Sequence, residues 1–225
     1  MKRLIPALAA VFLLCGSALA ATRVEHQFEK SVSAEGIRRI LVETKPSEIT
    51  IRNGDATKIT VKGTVSRNVR NRKDVATVQQ IVNDIEMEIE TVASRATIRP
   101  RFGARSGSFR QRRVETSYKI EITVPRGTHV EVRQSVGEVD VAGDFGDVDV
   151  AMRVGEIRLD LVKASVRELH ARTRIGEVRT NYGDRIITNE GILPGAADYE
   201  NPEGQYLVRA NVHIGEIDIK LRPPS

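Results

Sequence analysis

The chain has 225 residues, of which 29% are charged and 40% are hydrophobic. This balance is typical of a folded domain and excludes both a disordered chain and a bundle of membrane helices. Aromatic residues make up only 4% and there is no Trp. This scarcity argues against an aromatic-lined ligand pocket and against recognition of single-stranded nucleic acid by base stacking.

The N-terminal segment 1–20 has the pattern of a secretory signal peptide. The basic residues Lys2 and Arg3 precede the apolar run 4–14, and residues 18–20 (Ala-Leu-Ala) fit the small-x-small cleavage rule. The apolar run is too short to anchor a helix across a hydrocarbon layer of about 30 Å. We therefore expect export to the periplasm or the cell surface, with cleavage after Ala20.

Removal of this segment would leave a chain without cysteine. The only cysteine, Cys15, lies in the signal peptide and follows two leucines rather than a small residue, so a lipid anchor is not expected. A mature chain would have no disulfide, no thiolate metal site and no cysteine nucleophile. Its net charge would be +3, because the signal holds two of the 35 basic residues and none of the 30 acidic ones. Such a mild charge does not indicate nucleic acid as a partner.

The N-terminal half of the mature chain, residues 21–116, is predicted to be strands with one helix. Three segments within 39–65 (RILVET, EITIRN, KITVKGTV) alternate apolar and polar residues, separated by turn residues. Residues 74–85 have helical spacing of apolar side chains, and Asp74 can serve as the N-cap. Strand alternation returns at 86–92 and again at 118–124.

Residues 93–114 form an arginine-rich segment without any acidic residue. We predict a long polar loop, or a hairpin with a mobile tip. Guanidinium groups bind phosphate and carboxylate in a bidentate manner. The segment is therefore a candidate site for an anionic lipid headgroup or an acidic glycan, with a solvated basic loop as the alternative. The arginines are Arg95, Arg99, Arg101, Arg105, Arg110, Arg112 and Arg113.

Residues 117–222 are repetitive. An apolar residue, a glycine, an acid and two alternating apolar positions recur as VGEVDV (136–141), FGDVDV (145–150), VGEIRL (154–159), IGEVRT (175–180) and IGEIDI (214–219). The glycines fit two interleaved ladders whose steps are all roughly 20 residues, a period typical of repeat architectures. One ladder contains Gly137, Gly155, Gly176, Gly195 and Gly215, and the other contains Gly127, Gly146, Ser165, Gly183 and Gly204.

Two short strands in each period of about 20 residues describe an all-β, parallel β-helix-like solenoid, with glycine at sharp corners. Side-chain alternation would point Val139 and Val141 inward, and Ile157 and Leu159 of the next coil would cover them. An antiparallel meander or sandwich is the alternative, because its strands also recur at short, regular intervals.

The solenoid would stack acidic residues on its surface, namely Glu138, Asp147, Glu156, Glu177 and Glu216. Stacked like charges repel, so a counter-ion is expected. Calcium is one possibility, but GDFGDVD (143–149) lacks the double glycine of a calcium-binding β-roll. Ion pairs with Arg153, Arg174 and His213, each two residues before a glycine, are the alternative that we favour. We expect no metal and no cofactor.

Catalytic motifs are missing from the sequence. The four histidines (His26, His129, His170, His213) do not have metal-binding spacing, and there is no GxSxG, P-loop or dinucleotide fingerprint. Carboxylate pairs such as Asp147 and Asp149 occur, as in polysaccharide-active β-helices, but strand alternation places them on the exterior. The sequence therefore favours a protein that is not an enzyme.

The strings ITVPRGTHVEV (122–132), SVGEVDVAGDFGDVDVAMRVGEIRLD (135–160), RIGEVRT and HIGEIDIKL resemble the bacterial β-strand-repeat family often labelled "putative adhesin". The resemblance covers roughly residues 24–222, and the family is otherwise of unknown function. It implies an exported, right-handed β-helix-like domain and no catalytic residues. We assign one domain to residues 21–222 and a tail to 223–225.

We accordingly expect a non-catalytic binding or scaffolding module of the cell envelope, adhesin-like, with an anionic envelope component or an envelope protein as partner. One alternative is an accessory regulator of envelope stress that binds a membrane signalling protein. The second alternative is a carbohydrate-active β-helix enzyme.

Overall fold

The computed structural model describes residues 22–69, 71–102, 116–182, 186–189 and 194–223. The predicted signal peptide, Gly183, the last two residues of the tail and the distal part of the arginine-rich segment lie outside these ranges.

Thirteen strands and one α-helix account for most of the described chain. The strands are β1 (Thr22–Ser33), β2 (Arg39–Thr44), β3 (Ser47–Asn53), β4 (Lys58–Val69), β5 (Ile85–Val92), β6 (Arg95–Phe102), β7 (Thr116–Val124), β8 (His129–Gly143), β9 (Val148–Val162), β10 (Val166–Asn181), β11 (Ile186–Asn189), β12 (Gly195–Glu200) and β13 (Tyr206–Arg222). The helix α1 spans Val75–Asn83. The predicted all-β class with one helix is confirmed.

The helix differs from its prediction at both ends. A short 3-10 turn at 72–74 precedes it, so Asp74 already has right-handed helical dihedral angles and its side chain makes no capping hydrogen bond. The prediction that Asp74 caps the helix is therefore wrong. Ile85 begins β5 rather than ending the helix. The apolar spacing is confirmed, because Val78 and Val82 are buried against the core.

Four long strands, β8, β9, β13 and β10, form a parallel stack in which each strand is bent at a glycine. We call the part before the bend the first arm and the part after it the second arm. Gly137 lies opposite Gly155, Gly155 opposite Gly215, and Gly215 opposite Gly176. Strands β2 and β3 are the two arms of a further, interrupted coil, because β2 pairs with the first arm of β8 and β3 with the second arm.

The order of the coils departs from a sequential solenoid. The spatial order is β8-β9-β13-β10, so the last described strand lies between β9 and β10. Strands β11 and β12 fold back antiparallel along the other edge of β10 and occupy it. Gly195 belongs to β12, where it lies opposite Thr173, and the prediction that it stands in the glycine ladder is wrong.

The predicted inward residues of the stack are confirmed. Val139 lies opposite Ile157 and Val141 opposite Leu159, and all four side chains are at most 2% exposed. Burial of one such aliphatic side chain contributes about 1.5–3 kcal/mol. The core of the stack is thus a narrow double column of Val, Ile and Leu, which explains why the composition is aliphatic rather than aromatic.

The N-terminal strands extend this sheet in two directions. Beyond β3, the second-arm side continues through β7, β4 and β1, and the β7–β4 and β4–β1 pairings are antiparallel. On the first-arm side, β2 is followed by β6, which forms an antiparallel hairpin with β5. The helix α1 connects β4 to β5 and packs against β1 and β4. The first-arm side therefore carries the hairpin that contains the proximal arginines.

Candidate anion-binding surface and the glycine corner

The proximal arginines lie on a strand. Residues 95–102 form β6, so a polar loop is wrong for this part of 93–114. These residues belong to a hairpin, but their partner is β5, with the turn at 93–94. Ala96 and Ile98 are fully buried between them. Alternation along β6 consequently points Arg95, Arg99 and Arg101 to the outer surface.

Two of these arginines have acidic partners on β5. Arg99 Nη2 lies 2.8 Å from Glu90 Oε2, and its Nε lies 3.4 Å from Glu88 Oε2. Arg101 Nη1 lies 3.9 Å from Glu88 Oε1. The hairpin thus supplies the acids that the arginine-rich segment itself lacks, and it reduces the positive field of this surface.

Arg95 has a different environment. It lies opposite Arg39 in the parallel β6–β2 pairing, and Arg38 precedes Arg39. Both Arg39 and Arg95 are exposed. Among the described residues, neither has a carboxylate oxygen within the 4.0 Å of an ion pair. Two like charges on adjacent strands repel, so a bound anion would stabilise this arrangement.

Arg39 also lines a cavity of about 190 Å³ on the outer face of the first arms. The charged and titratable residues of its lining are Arg39, His129, Glu131, Asp147, Asp149 and Arg209. We call this cavity together with Arg95 the arginine surface.

Each carboxylate of the cavity has a partner. Arg133 Nη2 lies 3.1 Å from both Glu131 Oε1 and Asp149 Oδ2. Asp147 Oδ1 accepts a hydrogen bond of 2.9 Å from the backbone N–H of Leu207. The guanidinium groups of Arg39 and Arg209 have no described carboxylate within ion-pair distance, so each is available to a ligand anion.

His129 is held by the same backbone. Its Nδ1 accepts a hydrogen bond of 2.9 Å from the backbone N–H of Asp147, and its ring makes an edge contact with Tyr206 at 6.2 Å between centroids. Because Nδ1 acts as an acceptor, the neutral ring carries its proton on Nε2. His129 is therefore a further hydrogen-bond donor beside the two guanidinium groups.

Sequence reasoning missed Arg38, Arg39 and Arg209. Alternation in RILVET indicates that Arg39 points outward, but its proximity to Arg95 depends on parallel pairing between distant segments. Arg105, Arg110, Arg112 and Arg113 lie outside the described residues.

The predicted corner glycines fall into three groups. Gly137, Gly155, Gly176 and Gly215 occupy the bends, with φ between +137° and +144°. Gly127 has φ +74° in the turn before β8. Gly146 and Gly204 do not have positive φ, but a Cβ there would lie 2.8 Å from Gly127 O and 2.3 Å from Val166 O respectively. Ser165 lies in a short 3-10 turn.

The bend at Gly155 excludes a side chain on two grounds. Its φ of +138° is unfavourable for L-residues, and a Cβ would lie 1.8 Å from the carbonyl oxygen of Gly137 on the neighbouring strand. Two coils can therefore stack with their bends in register only if the residue at the bend is glycine, because any Cβ there would clash with the backbone of the neighbouring coil.

Each bend is followed by a glutamate, and these glutamates form one column across five strands: Glu48, Glu138, Glu156, Glu216 and Glu177. Asp147, which was predicted in this set, belongs instead to the cavity. Glu48, which the sequence analysis did not include, is aligned by the β3–β8 pairing.

The ion pairs of this glutamate column differ from the prediction. Arg158 lies 3.4 Å from Glu138 and also binds Glu156, Arg179 binds Glu177, and Lys119 Nζ lies 2.7 Å from Glu48. The predicted partners Arg153, Arg174 and His213 stand before the bend and are exposed there. The bend separates them from the glutamates, whereas a residue two positions after each glutamate shares its face.

Within the described ranges, no group of three or more His, Cys, Asp or Glu side chains is arranged to hold a metal ion. Within the same ranges, no helix has the length and hydropathy needed to cross a membrane.

Comparison with solved structures gives distant likenesses. A "putative cell adhesion protein" from Clostridium sporogenes aligns with 88% of this chain and 100% of its own, at 14% identity and a TM-score of 0.46. A "putative adhesin" from Bacteroides fragilis aligns with 86% of this chain and 97% of its own, at 9% identity and a TM-score of 0.27. No curated protein matches the chain.

A family model provides the assignment. The model of the Toastrack DUF4097 family matches residues 37–193, which is more than half of the chain and includes the strands from β2 to β11. The chain therefore belongs to the Toastrack DUF4097 family.

Proposed function

We propose that this protein is an exported, non-catalytic binding module of the cell envelope that attaches to phosphate-bearing surfaces through Arg39, Arg95 and Arg209. The observation that carries this proposal is the alignment of Arg39 with Arg95 on adjacent strands without an acidic partner among the described residues. The signal-peptide pattern of residues 1–20 supports export.

Phosphate is the anion that best suits these groups. A guanidinium presents a planar fork of donors that matches the oxygens of phosphate, and such charge-assisted hydrogen bonds are about twice as strong as neutral ones. The cavity of about 190 Å³ is smaller than a typical small-molecule site. It can take one headgroup phosphate while the rest of the lipid stays outside.

The same geometry supports a role without catalysis. General base catalysis needs a base in contact with a nucleophile or with substrate. In the cavity, Nδ1 of His129 accepts a backbone N–H, Asp147 Oδ1 accepts the N–H of Leu207, and Asp147 Oδ2 lies 3.3 Å from the same His129 Nδ1. The described lining therefore offers donors for binding and no paired base and nucleophile.

The test is co-sedimentation of the mature chain, residues 21–225, with vesicles of anionic phosphatidylglycerol or neutral phosphatidylcholine. We expect binding to the anionic vesicles only. Binding should be lost at high salt, because the Debye length falls from about 10 Å at 0.1 M to about 3 Å at 1 M. An acidic polysaccharide serves as the second ligand, and binding to it but not to vesicles contradicts the phosphate assignment.

Two double variants locate the site. Arg39→Ser/Arg95→Ser should weaken vesicle binding about tenfold. Arg153→Ser/Arg174→Ser removes the same charge just before the bends of β9 and β10, outside the cavity lining, and should change binding less than twofold. Equal loss in both variants would show that only net charge matters. A quadruple serine variant of Arg105, Arg110, Arg112 and Arg113 tests the distal segment, and loss of binding there alone would move the site to that segment.

A further inference from the structure

The bends of the stack carry a line of four aliphatic side chains, three exposed and one (Val154) half-buried, which we call the corner ridge. Its members are the residues before each glycine, Val136, Val154, Ile214 and Ile175, and they lie opposite one another on four neighbouring strands. Val136 is 42% exposed, and Ile175 and Ile214 are each 43% exposed. Of the four large aliphatic side chains that are most exposed in the described chain, three belong to this line.

Charged columns flank the corner ridge on both sides. The residues immediately before it are Ser135, Arg153, His213 and Arg174, and the residues two positions after it are Glu138, Glu156, Glu216 and Glu177. The side before the ridge therefore carries arginines, and the side after it carries four glutamates, three of which also contact Arg158 or Arg179 of the same chain. Glu216 has no ion-pair partner within 4.0 Å among the described residues.

We propose that the corner ridge binds the corner ridge of a second copy of the chain, in a dimer whose two-fold axis runs parallel to the ridge. An exposed aliphatic line between charged columns is the usual composition of an interface centre and its rim. The charge pattern selects a second copy as the partner, because this surface is complementary to itself in one orientation.

The orientation follows from the symmetry. A two-fold rotation about an axis parallel to the ridge exchanges its two sides and leaves each strand at its own level. Arg153 then faces Glu156 of the second copy, and Arg174 faces Glu177 of the second copy. A two-fold axis perpendicular to the ridge would place basic columns against each other and acidic columns against each other, which costs free energy.

The spacing of the four ridge residues also suits a dimer of this kind. Both ridges repeat at the strand separation of about 4.8 Å, so all four aliphatic pairs can meet in the same register. Long Arg and Glu side chains can reach across beside the aliphatic contact. The contact is about 15 Å long, from four rungs at this spacing, and lies below the size of a standard stable interface. We therefore expect a weak dimer with a Kd on the order of 100 μM.

The experiment is sedimentation equilibrium of the mature chain over a concentration series reaching the millimolar range. The wild type should show a reversible monomer–dimer equilibrium. Ile175→Ser/Ile214→Ser should raise the Kd at least about tenfold, because it removes half of the aliphatic contacts. Val92→Ser is the matched control, since Val92 is 65% exposed and lies on β5, away from the ridge. A wild type that stays monomeric, or a dimer that the ridge variant leaves intact, overturns the proposal.

Charge exchange tests the axis. Arg153→Glu/Arg174→Glu places glutamate on both sides of the ridge at the levels of β9 and β10, and Glu156→Arg/Glu177→Arg places arginine on both sides at these levels. Each variant alone should therefore be monomeric. An equimolar mixture should form a heterodimer, in which opposite columns face each other on both sides of the ridge. Far-UV circular dichroism confirms that each variant is folded. Failure of two folded variants to associate on mixing contradicts the parallel two-fold axis.

Discussion

Strands β8, β9, β13 and β10 are parallel and in one register, whereas β1, β4 and β7 pair antiparallel in residue patterns that do not repeat. In the parallel stack, equivalent positions of neighbouring coils lie directly opposite each other. A residue at such a position therefore has the same kind of neighbours in every coil. The same residue types can then recur at the bend and in the core. In the antiparallel region each position meets a different partner, and the sequence carries alternation without a repeat.

The coil formed by β2 and β3 is intermediate between these regions. Its second arm keeps the register of the stack, with Ser47 opposite Gly137. Its bend is a break at residues 45–46, which include Pro46, and Gln134 Nε2 donates to the carbonyl oxygens of Ser47 and Val136 there. The side-chain amide of Gln134 thus supplies hydrogen bonds at this break, where the glycine bends of the other coils keep backbone pairing between the strands.

Removal of β13 should have the largest effect on the stack. A chain truncated after Asn201 lacks the strand between β9 and β10, so both lose a long parallel neighbour. We expect the loss of cooperative unfolding and rapid proteolysis of the segment from 148 onward. A sequential solenoid would lose only its terminal coil. A truncated chain that melts cooperatively near the wild-type temperature would therefore contradict the inserted position of β13.

Gly155→Ala should be the most damaging single substitution of this set. Its Cβ would lie 1.8 Å from Gly137 O at φ +138°, and we expect a loss of more than about 3 kcal/mol in the free energy of unfolding. Gly127→Ala is the matched control, because φ there is +74° and nothing lies within 4 Å, so the cost is about 1–2 kcal/mol. Urea unfolding measures both variants. Equal losses would show that dihedral strain, and not close stacking, requires glycine at the bend.

A buried tyrosine distinguishes the antiparallel region. Burial raises the pKa of Tyr118, on β7, to about 12. The folded state holds this proton more tightly than the unfolded state, whose tyrosine pKa is about 10. The resulting stability is complete below about pH 10 and is lost as the pH rises towards 12, by about 2–3 kcal/mol.

Tyr118→Phe should therefore flatten the decline of unfolding free energy between about pH 9 and about pH 12. Denaturant titrations of both proteins at several pH values measure the decline. Parallel pH profiles for the two proteins would be evidence that Tyr118 does not titrate with unfolding.

Arg158→Gln should have the smallest effect. Arg158 lies between Glu138 and Glu156, but its side chain is 48% exposed, and exposed pairs contribute about 0–1 kcal/mol. We expect a loss below about 1 kcal/mol that shrinks at high salt. Arg153→Gln, beyond the bend, should be nearly neutral. If Arg158→Gln lowered the free energy of unfolding by several kcal/mol, repulsion between the stacked glutamates would be a major contribution to the stability of the protein.

Periodicity was sufficient to predict which residues of the stack point inward, as Val139 and Ile157 illustrate. Periodicity was insufficient to predict the order of the coils, because coils with the same residues at the bend and in the core can pair with one another in any order. Gly155 stacks equally well on Gly176 or on Gly215, and only the path of β11 and β12 decides between them. The arginine surface could not be predicted for a similar reason. Arg39 and Arg95 become neighbours only through the β2–β6 pairing, which no local sequence pattern encodes.

The position of β13 has a consequence for how the chain folds. The stretch of chain between the paired glycines Gly155 and Gly215 is more than three times as long as that between Gly137 and Gly155. Closing the longer loop costs about 1 kcal/mol more in chain entropy, and such non-local parallel pairings form slowly. Until the C-terminal strand arrives, β9 and β10 each expose an unpaired edge that another chain can occupy. Of the described strands, the one that is synthesised last is thus the one that closes the sheet.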